Sequence, residues 1–115
     1  MARYTSSFIA KTTLEQLPVL LSELLESCDF EMVYQATDYL MARETPGKIV
    51  FSKLVSVEVL VESTVAKNNE VPVIFVVKND ELPLNPNNHC HQRFQQLQTI
   101  LNQSQQMHSV TAVPS

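Results

Sequence analysis

The most pointed chemistry in this chain is His89-Cys90-His91, preceded by Asn87-Asn88. Imidazole and thiolate are ligands for zinc and copper. A zinc site wants three or four such groups, and adjacent residues seldom all aim inward. In an extended segment His89 and His91 share a face; at the start of a helix they splay by about 200°. Cys28 is the other cysteine and would complete a Cys₂His set if the fold brought it close. A redox pair of Cys28 and Cys90 is the related reading, because a helix N-terminus lowers a thiol pKa. The plainer expectation is that Cys90 is a small apolar knob in a helix stripe, with the histidines exposed in the first turn.

Other chemistry is thinner. Acid–base catalysis needs paired carboxylates in a cleft. Glu23 with Glu26, and Glu58 with Glu62, read instead as solvated faces. Asp38, Tyr39, Arg43 and Glu44 fall near a turn and a loop, where they could form a polar cluster, but their convergence is a matter of tertiary structure. Serine, histidine and aspartate all occur, yet no nucleophile has a distinctive local context. There is one glycine, Gly47, among 115 residues. The Walker A loop, the dinucleotide fingerprint and the G-x-S-x-G elbow each need more, so all three are excluded. Nothing implies a cofactor, and the chain leans away from enzymes.

These residues are placed by elements that patterning reveals. Tyr4 to Lys11 alternates as a strand. Thr13 with Gln16 matches a capping box, and Leu14, Leu17, Leu21, Leu24, Leu25 and Cys28 form one apolar helical stripe. Pro18 would clash at the fifth helical position, so a kink, or a start nearer Gln16, is expected. Phe30 to Val77 reads as β. One register has strands over Glu31–Ala36 and Tyr39–Glu44 that turn at Thr37-Asp38, then a flap over Thr45–Lys53. The rival is one hairpin of Phe30–Glu44 against Lys48–Glu62, whose strands would be about three times the usual length. The first is preferred. In either, Pro46-Gly47 suits a type II turn. Val55, Val57, Val59 and Val61 share one strand face. Val71, Val73, Phe75 and Val77 share another, with Pro72 near a strand start or an edge. Asp80 to Asn88 is loop, and Asn88 caps a last helix with Cys90, Phe94, Leu97 and Leu101 on one side.

The order β-α-β-β-β-β-α implies an α+β domain, an antiparallel sheet with two helices on one face. The domain is expected to span 1–106, with 107–115 a disordered tail. Four antiparallel strands after the first helix would return the chain to the end where that helix stopped. The preferred register therefore puts Cys28 and Cys90 at the same end of the domain; the long hairpin puts them at opposite ends.

The flap draws attention for binding. Ile49, Val50 and Phe51 beside Lys48 either fold over the core, which is the plainer expectation, or stand exposed for a partner. Leu82 and Leu84, in Leu82-Pro83-Leu84, would plug the open end of the sheet or join the same surface. A further alternative is a small apolar ligand carried between the sheet and the last helix.

Eight Lys and Arg stand against 12 Asp and Glu, a formal charge of −4. Lys11, Lys48, Lys53, Lys67 and Lys78 are scattered, which argues against nucleic acid, whose binding needs a clustered positive field. The richest apolar run, Leu17 to Leu25, contains Ser22 and Glu23, whereas a membrane span needs about 20 apolar residues. With no signal-like start and cysteines that need no bridge, the cytosol is expected.

The pattern resembles helix-grip domains, in which a C-terminal helix lies across a curved sheet. Residues 38–44, Pro46-Gly47, Leu54 to Leu60, Phe75 to Asn79, Glu81 to Leu84 and Asn88-His89-Cys90 are similar to a family of small uncharacterised cyanobacterial proteins. That resemblance implies a cytosolic protein of a photosynthetic bacterium and no activity. The sequence thus points to a non-catalytic binding module, with a protein or a second copy as partner. Lys48, Ile49, Val50, Phe51, Leu82 and Leu84 are its candidate contacts. The rival is a metal- or redox-responsive protein using Cys28, His89, Cys90 and His91.

Overall fold

The structure is a computed structural model that describes residues 1–47, 49–82 and 88–110. β1 (Ala2–Lys11) leads through α1 (Leu17–Ser27) to β2 (Phe30–Gln35), β3 (Tyr39–Glu44), β4 (Ser56–Val61) and β5 (Glu70–Asn79), then α2 (His89–Gln103) and β6 (Met107–Ser109). The sheet order is β2-β3-β4-β5-β1-β6, and every neighbouring pair is antiparallel. This is the expected α+β class, with the short β6 added. Among the described residues, no helix is long and apolar enough to cross a membrane.

The two-residue period sets the core. Phe8 and Ala10 of β1, Leu40 and Ala42 of β3, Val57 and Val59 of β4 and Val71 to Val77 at alternate positions of β5 face one side. Leu17, Leu21 and Leu25 of α1 and Cys90, Leu97 and Leu101 of α2 join them in a single buried cluster. Both helices therefore cover the same face. At roughly 25 cal/mol per Å² of apolar surface removed from water, this burial is the main stabilising contribution. Phe8 and Phe75 meet edge to face, 5.6 Å between ring centroids. The space between sheet and α2, where a small apolar ligand was one expectation, is occupied by these side chains.

Local chemistry sets the element ends. α1 starts at Leu17, so Pro18 falls in its first turn, where its missing N–H costs no helical bond. The offset start is the one expected as the alternative to a kink, and Thr13 Oγ1 still accepts from Gln16 N at 3.2 Å. Asn88 caps α2 by accepting from His91 N at 2.7 Å, as its type predicts. Left-handed backbone falls on Asp29, Asn68 and Asn69, residue types that tolerate it. Asn68-Asn69 bring Lys67 and Glu70 together in a tight reversal before β5.

Three expectations are corrected. Gly47 is not in the left-handed region, so Pro46-Gly47 makes no type II turn. β3 and β4 pair antiparallel across a longer connection, whose described part includes a 3₁₀ turn at Phe51–Lys53. The long hairpin of Phe30–Glu44 against Lys48–Glu62 does not form, because β2 pairs back on β3 and β3 goes on to β4. Met107–Ser109, expected within a disordered tail, pairs with Phe8 to Ala10, and hydrogen bonds from Lys11 N to Gln106 O and from Val110 N to Ser7 O flank it.

Candidate functional site at the flap end

One end of the sheet gathers the start of β2, the end of β3, the flap, the end of β5, the start of β1 and the N-terminus of α2. β3 delivers Arg43 and Glu44 there on opposite faces, because successive side chains of a strand alternate.

Glu44 points into the protein and is 7% exposed. Its Oε1 accepts from Val55 N at 3.1 Å. Its two carboxylate oxygens lie 2.8 and 2.9 Å from His89 Nε2. Arg93, one helical turn beyond His89, has its Nε 3.4 Å from Glu44 Oε2. That contact lacks hydrogen-bond geometry, leaving Nε without a hydrogen-bond partner, so the attraction is electrostatic. The same guanidinium donates to Cys28 O and, at 2.7 Å, to Gln96 Oε1. It lies 4.7 Å over the Phe30 ring. One carboxylate thus ties β3, the entry to β4 and α2 together, and Arg93 carries the tie on to the end of α1.

A second network lies beside it. Asn79 Nδ2 donates to Lys53 O at 3.0 Å and to Glu81 Oε1 at 2.6 Å, and its Oδ1 accepts from Glu81 N at 3.0 Å. Glu81 in turn accepts from His89 N at 3.2 Å and Cys90 N at 2.9 Å. Burial pushes the Glu81 carboxyl up, but hydrogen bonds from Asn79, Cys90 and His89 outweigh it and hold the group below its usual range. A carboxylate at a helix N-terminus also meets the positive end of the dipole.

The predicted cluster disperses. His89 turns inward to Glu44, and the His91 ring packs 4.9 Å from that of Tyr4. Cys90 is fully buried with Sγ 3.9 Å from Ala2 O. Its thiol is pushed up to about 12 by burial, then by the charges of Glu81 and Glu44. This corrects the expectation of a thiol activated by the helix N-terminus, since burial disfavours the thiolate and the Glu81 carboxylate already occupies that terminus. Cys28 caps α1, and burial pushes its thiol up as well. Both cysteines are free and lie at the flap end, where the preferred register placed them. Among the described residues no three His, Cys, Asp or Glu side chains are grouped to hold a metal ion.

Outside, the end is different. Phe51 is 77% exposed, Val50 63% and Leu82 72%. The flap therefore does not cover the core with these side chains. Leu54 and Val55 fill that place. Lys48 and Leu84 lie outside the described residues. Arg43, Ser56 of β4, Lys78 of β5 and Arg3 of β1 form one cross-strand row on the outer face. Glu58 stands in the next row, where Lys78 Nζ lies 2.6 Å from its Oε1 and Tyr39 donates its hydroxyl proton to its Oε2 at 2.5 Å.

Sequence reasoning did not find Glu44, Arg93, Asn79 or Glu81 as a set, nor the basic row. A signal for Glu44 exists: alternation with Leu40 and Ala42 puts a carboxylate on the core face. His89 and Arg93, four apart on α2, were the matching signal.

No family model matches this chain, and no curated protein is similar to it.

Proposed function

We propose that this protein is a non-catalytic binding module whose working surface is the flap end and whose partner is a protein. The observation that carries this reading is the exposure of Phe51 at 77%, with Val50 beside it and Leu82 across the same end. A large aromatic side chain held in water by an ordered turn is costly unless something covers it, and aromatic residues are the usual anchors of interfaces. The turn is ordered by Lys53 N donating to Val50 O, Leu54 N donating to Phe51 O, and Asn79 holding Lys53 O. Presentation of Phe51 is therefore a property of the folded end.

The buried side of the same end supports the non-catalytic part. An imidazole oriented by a carboxylate is a fragment of a general base. His89, however, faces Glu44 in the interior, with its side chain 16% exposed. Thiol chemistry is disfavoured by the raised Cys90 and Cys28 groups. The cytosol remains the proposed compartment, and the likeness to small cyanobacterial proteins belongs to the same proposal.

A photo-crosslinking amino acid placed at Phe51, and in a separate variant at exposed Glu23 on α1, tests the reading in the producing cell. Discrete protein adducts at position 51 with none at 23 are expected. Adduct patterns that are the same at the two positions would sink it.

A further inference from the structure

We propose that the partner segment held at the flap end is acidic and apolar at once: an apolar side chain seated against Phe51 and Leu54, flanked by carboxylates over Arg43, Lys78 and Arg3. This rests on the reading of the flap end as the binding surface and names what that surface recognises.

Charge is the first argument. The chain carries −4 overall, yet Arg43, Lys78 and Arg3, three of its eight lysines and arginines, fall in one cross-strand row. Neighbouring strands are about 4.8 Å apart, so Lys78 adjoins Arg3, and Arg43 stands roughly 10 Å from Lys78. Lys78 is paired with Glu58, and Arg3 feels the same carboxylate. The Arg43 side chain is exposed and makes no hydrogen bond or ion pair with any described residue. Its cross-strand neighbour Glu31 makes none with it either. An unpaired guanidinium is a planar fork that fits a carboxylate with two parallel hydrogen bonds.

Shape is the second. Arg43, Lys78 and Ser56 line an open pocket of about 220 Å³ together with Phe51, Leu54 and Met1, and Asp80 is also in its lining. Small-molecule sites usually run from about 300 to 1,000 Å³. This socket admits a side chain with its neighbours in solvent, which is how a peptide segment is held. Glu58 and Asp80 beside three cations disfavour a polyanion, whose affinity grows with the number of phosphates neutralised. A segment with a few carboxylates spaced by an apolar anchor matches both the basic row and the exposed aromatic.

The experiment is selection of a random peptide library on the immobilised full chain, followed by affinity measurement on Phe51→Ser and Arg43→Glu. Both substitutions fall on exposed side chains, and equal melting checks that the variants fold. The expected winners combine Asp or Glu with Leu, Phe or a similar residue. Their affinity should fall about tenfold or more in each variant and weaken as salt rises. Winners without acidic residues, or winners that lose affinity in Phe51→Ser but not in Arg43→Glu, overturn the acidic segment and leave the flap-end reading standing. Winners indifferent to both variants, or no enrichment at all, overturn both. Displacement of the winners by a single-stranded oligonucleotide overturns the partner class.

Discussion

Arg43 and Glu44 are neighbours in the chain and sit on opposite faces of the same strand end, and their surroundings differ in kind. Glu44 is buried and engaged by Val55 N, His89 and Arg93. The Arg43 side chain is exposed beside Phe51 and has no hydrogen-bond or ion-pair partner among the described residues. The inner charge holds the end of the domain together, and the outer one is left for contact. A buried carboxylate must have its lone pairs occupied, since an unpaired buried charge is far more costly than an exposed one. Consumption inside and availability outside are thus two results of one pleat.

The comparison breaks most visibly at Glu44. Glu44→Ala leaves His89 and Arg93 facing each other without their carboxylate, and a loss of about 2–4 kcal/mol in chemical denaturation is expected. Glu44→Gln should recover part of it, because an amide oxygen still accepts from Val55 N. A loss below about 1 kcal/mol for the alanine variant would show that the inner cluster is not structural. Asn79→Ala comes next, at about 1–3 kcal/mol. It removes the bonds to Lys53 O and Glu81, so amide exchange of the flap should quicken while that of the Asn68-Asn69 turn stays unchanged.

A pH effect on the outer face is smaller. The Tyr39 hydroxyl is pushed up to about 12, first by its hydrogen bond to Glu58 and then by burial and charge. Glu58 is held low by Lys78 and by Tyr39. A raised tyrosine contributes stability that is whole below its unfolded value of about 10 and is lost as pH climbs through the folded value. The depressed glutamate contributes above its unfolded value of about 4.3 and is lost as pH falls through the folded one. Glu58→Gln should therefore lower the Tyr39 midpoint, read by NMR of labelled tyrosine. An unchanged midpoint would show that the pair is not formed in solution. The smallest expected effect sharpens the contrast: Arg43→Ala should change stability by no more than about 0.5 kcal/mol, since its exposed side chain makes no hydrogen bond or ion pair with a described residue.

Much of the frame was legible. Strands β3 to β5 follow the two-residue period on their core face, Asn88 has the chemistry of a cap, and the offset helix start was one of the two outcomes that Pro18 allowed. These are local effects, and short-range sterics and hydrogen bonding decide them. β6 was not legible, because Met107–Ser109 is too short to show a period and is held by the edge of β1. The inner cluster was legible only in pieces: Glu44 sits on a core-facing register, and His89 and Arg93 on one helix face. Glu81 gave no signal, since its part in capping α2 depends on how Asn79 turns the chain.

The sequence by itself determined which strand and helix faces are apolar and that Asn88 caps the last helix, because each depends on neighbours a few positions away. Only the tertiary structure decided that β1 slots beside β5 rather than beside β2. That long-range pairing aligns Arg3 with Lys78, puts Cys90 under the Ala2 carbonyl and draws Arg43 into the same row through β4. Pairing between strands distant in the chain is chosen by burial of the whole core face, which no local pattern carries. The same choice scattered His89, Cys90 and His91 to three environments and left Phe51 in water at the rim.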